Sequence, residues 1–316
     1  MKKLATFFFY LIVSVAFLKS HAQDLTYSFK IILYQGDKNI LPASWLSKPI
    51  NAKVTKVDIS TAPADSMEIE TALGKYPTKL LNAELQRIYM VGQIECYGVH
   101  YSGTNSSYLV YIANKKNHEI EKTFHHEFSS ILLRNHPASF DDFKWKMLSP
   151  EIADQNSAYA IKRGLYSTDR SKPDSSLYEK GYLDLYALSN VENDFNMYAE
   201  NIFAGGEEFW KLVDRYPKIK QKTGLVINFY SAVNPTLDEP YFRFLTETPK
   251  QINTAPEVLH NTDKGNTVTP KENLRQAYGF RHFWVYDSPS KKNRLFYYNN
   301  NTFSPAEFSL AVSLYW

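Results

Sequence analysis

Apolar positions recur at helical spacing in the middle of the chain and at strand spacing ahead of it. Ile120, Phe124, Phe128 and Ile131 follow one another at intervals of four, four and three, which marks one buried face of a helix over about 118–135. Asn117 is a candidate cap, Glu119 and Glu121 lie in the first turn and Arg134 in the last, as the helix dipole favours. Pro137 ends the pattern. A second helix is predicted from Val191 to Ala204, with Phe195, Tyr198 and Ile202 on its buried side and Gly205-Gly206 at its end. A third spans about 207–232 and breaks at Pro217.

Upstream, residues 25–34 alternate well enough for a strand that ends at Gly36-Asp37. Residues 80–91 read as a short helix or the entry to a strand. Residues 88–100 and 108–113 are rich in β formers, and the Gly-Thr-Asn-Ser-Ser stretch between them predicts a hairpin turn. Residues 138–183 are polar and loop-like with a short helix near 154–163, and the last 80 residues mix Pro, Asn and aromatics as loops and short strands. Strands followed by helices predict an α+β fold.

The N-terminus changes the charge balance. Lys2 and Lys3, the apolar run Leu4–Leu18, and the small residues Ser20 and Ala22 ahead of Gln23 form a secretory signal pattern over 1–22. Its removal takes three lysines and no acid, leaving 33 basic against 33 acidic residues. A neutral mature chain without a basic stripe argues against a nucleic-acid partner. No later stretch approaches the ~18 apolar residues of a membrane-spanning helix, so the mature protein is expected to be secreted or periplasmic. Cys96 is the single cysteine, which excludes an internal disulfide, and its place in a predicted strand suits a buried small hydrophobe.

The candidate chemistry lies on the first helix. A zinc peptidase of the HExxH type places two His one turn apart as metal ligands and uses the intervening Glu as general base. Here His126 and Glu127 occupy the first two positions, but the second His is replaced by Ser130. A neutral hydroxyl is a poor zinc ligand. His125, His100 or His136 are conceivable replacements, although adjacent helical residues such as His125 and His126 point ~100° apart. The bland alternative is a polar stripe on an amphipathic helix. Ser129-Ser130 lack the Gly-x-Ser-x-Gly elbow of a serine nucleophile.

Downstream, Gly181 to Glu200 reads GYLDLYALSNVENDFNMYAE. With the His126-Glu127 helix, this stretch resembles the zinc-binding metallopeptidases of secreted Bacteroidetes proteins, across about residues 85–235. The resemblance implies a zincin-like fold, peptide-bond hydrolysis by metal-activated water, a zinc cofactor and a protein or peptide substrate. It matches Tyr186 to a loop tyrosine that assists the transition state, Glu127 to the general base and His126 to the first ligand. Either Asp194 or Glu200 matches the acidic ligand. Against these stand simpler readings: one of many tyrosines for Tyr186, a dipole-favoured first-turn acid for Asp194, a solvated face for Glu200. Ser130, and Asn196-Met197 where the family often has Ala-Glu, depart from the pattern. Two functions are therefore in view: an exported zinc metallopeptidase, and an inactive zincin-fold binding module at the cell envelope. The implied organisation is a signal at 1–22, a strand-rich region at 23–84, a metallopeptidase-like region at 85–245 and an aromatic-rich extension at 246–316.

Overall fold

A computed structural model describes residues 27–36, 39–58, 60, 62–114, 119–150, 174–247, 282–287 and 292–297. The signal region, Asn117, the helix expected near 154–163 and most of the aromatic tail lie outside the described residues.

The chain is an α+β protein. Strands β1 (Lys30–Leu33), β3 (Arg87–Val91), β6 (Gly103–Ser106), β7 (Leu109–Ala113), β8 (His282–Asp287) and β9 (Lys292–Tyr297) form one sheet in the order β6-β7-β3-β1-β8-β9. Its four central strands are parallel, and β6 and β9 run antiparallel along the two edges. A smaller antiparallel sheet joins β2 (Lys53–Val54), β4 (Ile94–Cys96) and β5 (Val99–Tyr101).

Strand alternation divides the main sheet into two buried faces. Leu33, Ile88, Met90, Val110 and Ile112 pack with the helices, while Tyr89, Val91, Tyr111 and Ala113 pack with Ile94 and Cys96 of the small sheet. This accounts for a departure from the sequence reading. The near-continuous apolar runs of β3 and β7 belong to parallel neighbours covered on both faces, rather than to a hairpin. The expected turn, Gly-Thr-Asn-Ser, is instead the edge strand β6, and the chain reverses at Ser107, whose φ is positive. A second reversal, at Tyr97-Gly98 with positive φ at both residues, splits the expected 88–100 strand.

The helices are α1 (Ala62–Leu73), α2 (Thr78–Glu84), α3 (Ile120–Asn135), α4 (Asp142–Leu148), α5 (Ser175–Lys180), α6 (Val191–Ala204), α7 (Gly206–Arg215), α8 (Pro217–Val233) and α9 (Glu239–Glu247). The last falls where only loops and strands were expected. Among the described residues none is long and apolar enough to cross a membrane. Helix α3 lies against the sheet with Phe124, Phe128, Ile131 and Leu132 fully buried, and α6 packs along it with Phe195, Tyr198, Ile202 and Phe203. Each such side chain contributes on the order of 1.5–3 kcal/mol by burial. The first amides of α3 find an acceptor on another helix: Ile120 N and Glu121 N donate to Glu68 Oε2 of α1 (3.0 and 3.4 Å). Cys96 is buried, and desolvation pushes its thiol up to about 11.

Candidate functional site

Helices α3 and α6 run antiparallel, so residues one turn apart on one face those one turn apart on the other. Three polar pairs result. His126 Nδ1 lies 2.7 Å from Glu200 Oε1, Asn196 Nδ2 donates to Ser130 Oγ at 2.7 Å, and Arg134 Nη1 lies 3.4 Å from Glu192 Oε1. A four-residue step forward on α3 matches a four-residue step back on α6, which makes this a ladder. Asn196 is held on both sides, because Ser129 Oγ also donates to its Oδ1 at 2.5 Å. The first two rungs are buried and the third is half-exposed.

The edge strand closes the site from the side. Asn105 Nδ2 of β6 donates to Glu127 Oε2 (2.6 Å), and Arg134 donates to Asn105 Oδ1. Gly103 makes this approach possible. A Cβ there would fall 2.6 Å from Thr123 Cγ2 and 2.8 Å from the Glu127 side chain. Burial raises the Glu127 carboxyl above the ordinary range, against the opposing effects of His126 and the Asn105 hydrogen bond. The Tyr186 ring, in a 3-10 turn over Tyr186–Ser189, is 5.8 Å from that of His126 between centroids.

Other candidates sit elsewhere. Asp194 is fully buried on a different face of α6. Its Oδ2 takes Lys222 Nζ (2.7 Å), Trp145 Nε1 (2.9 Å) and Ser149 Oγ (3.2 Å). Lys222 Nζ also donates to Gly181 O (2.8 Å) and lies 4.2 Å above the Tyr182 ring. Desolvation raises the Asp194 carboxyl to about 6 despite the ammonium beside it. Residues 194 and 200 are six apart, roughly 120° around a helix, which is why one meets α8 and the other meets His126.

The three conceivable replacement histidines are found in other surroundings. His125 is buried among Tyr76, Phe124 and Phe203, with Nδ1 2.9 Å from the Tyr76 hydroxyl, and burial depresses its imidazole to about 4. His136 Nε2 contacts Glu84 Oε1 at 2.8 Å, and His100 is exposed on β5.

The donor set does not fit a three-ligand zinc centre with an open fourth position. His126 and Glu200 supply only two ligands, the neutral Ser130 hydroxyl where a third would stand is paired with Asn196, and the Glu127 carboxylate is held by Asn105. Among the described residues no three His, Cys, Asp or Glu side chains gather as a metal-holding group. Asn105, Asn196 as a hydrogen-bonding partner, and Lys222 were not foreseen as parts of these clusters. Lys222 did leave a signal, since it interrupts the buried stripe Ile219, Val226 and Phe229 of α8.

No family model and no curated protein matches the chain. Among solved structures, a Bacteroides caccae protein described as "a putative zinc-binding metallo-peptidase" matches over 70% of this chain and 85% of that one, at 13% identity and a TM-score of 0.47.

Proposed function

We propose that the protein is an exported binding module on a metallopeptidase-like scaffold, in which the position of a catalytic metal centre is taken by a hydrogen-bonded ladder. The observation that carries this reading is the Ser130–Asn196 rung. Where a second imidazole would stand, a neutral hydroxyl accepts a hydrogen bond from a buried amide at 2.7 Å. Glu127 fits the same reading. A general base has to reach a water or substrate proton, whereas this carboxyl is 7% exposed and clamped by Asn105 of the edge strand. The signal pattern of residues 1–22 supports a cell-envelope or secreted location, and N-terminal sequencing of the native protein is expected to begin at Gln23.

The decisive experiment compares wild type with Glu127→Gln on an unstructured protein substrate with zinc added, alongside the zinc content of both. The expected result is substoichiometric zinc and no cleavage by either protein. Stoichiometric zinc in wild type, with cleavage that disappears in Glu127→Gln, would overturn the reading in favour of a zinc peptidase.

A further inference from the structure

We infer that Ser130 and Asn196 are a matched pair that together close this centre to zinc, so that a zinc site returns only when both are replaced. The inference rests on the reading of the ladder as a centre without a metal.

Ser130 stands one helical turn after His126, and Asn196 stands one turn before Glu200. The four side chains therefore share one interface, and the His126–Glu200 contact shows how closely its two sides approach, at 2.7 Å. Ser130 and Asn196 are each 1% exposed, so the space between them is already full. Asn196 Nδ2 sits 2.7 Å from Ser130 Oγ, in the volume that an imidazole on residue 130 would need to face the same way as His126. The amide is also fixed from its other end by Ser129 Oγ at 2.5 Å, which opposes its swinging aside.

Side-chain size makes the same point. Ser→His adds roughly four heavy atoms and Asn→Ala removes roughly three, so the double change nearly conserves volume while Ser130→His alone overpacks the interface. Ser130→His alone also leaves the Asn196 amide without its acceptor. The double replacement supplies two imidazoles one turn apart facing a carboxylate, the His₂Glu set that zinc accepts. In that set His126 and Glu200 are native residues already in contact.

The test is zinc binding by titration calorimetry with zinc chloride. It compares wild type, Ser130→His, Asn196→Ala, Ser130→His/Asn196→Ala and Ser130→His/Asn196→Ser, each first checked for folding by circular dichroism. Both double variants are expected to bind one zinc per chain, at least roughly 100-fold more tightly than wild type or either single variant. Their thermal midpoints should rise on adding zinc. Equal affinity of Ser130→His alone and the double variants would overturn the matched pair. So would double variants that fold but bind no better than wild type, or double variants that fail to fold while Ser130→His folds. Tight zinc binding by wild type would instead overturn the proposed function, so the two failures are told apart.

Discussion

Helix α6 carries two buried carboxylates six residues apart, and their surroundings differ in kind. Asp194 is sealed among Trp145, Tyr182, Tyr198 and Ser149 with a lysine that is itself 0% exposed. Glu200 faces His126 across the α3–α6 seam, and the His126 ring in turn lies 5.8 Å from that of Tyr186. The first is an ion pair that solvent does not reach, and removing either partner leaves an uncompensated charge. The second belongs to a series of polar contacts that opens to solvent at Arg134 and Glu192. The lesson is that an acid's place in a motif-like string says little about its role. Helical phase decides which neighbour it meets.

The largest effect is expected at Lys222. Lys222→Met strands Asp194 in an apolar pocket and is expected to cost about 3–5 kcal/mol in urea unfolding. Adding Asp194→Leu should restore much of that, though Trp145 and Ser149 then lose their acceptor. A loss under about 1 kcal/mol for Lys222→Met would mean that the pair contributes no more than a surface contact.

His125 and Asp194 bias the pH dependence of stability in opposite senses. His125 has a folded-state pKa of about 4 because burial disfavours its charge, against an ordinary value of 6.5. A depressed pKa means that the unfolded chain takes up the proton first. The stability tied to this group is present above pH 6.5 and is lost as pH falls toward 4, by about 2 kcal/mol between pH 7 and 5. Asp194, raised to about 6, acts in the opposite direction between its ordinary 3.8 and that value. His125→Gln should therefore reduce the acid-side loss, and a pH profile identical to wild type would assign that loss to other groups.

Much of this was legible in the chain. The 3.6-residue period located α3 and α6 to within about two residues, because their apolar stripes and end signals agree. Phase around α6 was not legible with equal force. Asp194 and Glu200 both fall on that helix, and only the position of α8, set by the packing of Ile219, Val226 and Phe229, separates them. The β6–β7 hairpin and the Asn105 clamp were hidden for a related reason. Parallel strands buried on both faces lose the alternation that reveals orientation, so the edge strand passed for a turn. The Ser130–Asn196 rung depends on the register of two helices 66 residues apart, which no local pattern encodes.

Within the ladder the middle of the expected range belongs to Glu200→Gln. An amide oxygen can still accept from His126, so the change removes the charge and keeps the shape. A loss of about 1 kcal/mol is expected from the weakened hydrogen bond. A loss near that of Lys222→Met would place Glu200 in the same class as Asp194 and erase the distinction between the two regions.

The smallest effect is expected at the open end. Arg134 and Glu192 are 41% and 46% exposed at the side chain and 3.4 Å apart, so water screens their attraction and ordering two long side chains offsets part of it. Arg134 also donates to Asn105 Oδ1, which links the rung to the clamp on Glu127. Arg134→Ala should therefore cost about 0.2–1 kcal/mol, and its coupling to Glu192 in a double-mutant cycle should shrink further at 1 M salt, where the screening length falls to about 3 Å. The Lys222–Asp194 coupling, shielded from ions, should hardly change under the same conditions. If salt weakens both pairs equally, the sealed pair is reached by solvent and the contrast between the two carboxylates fails.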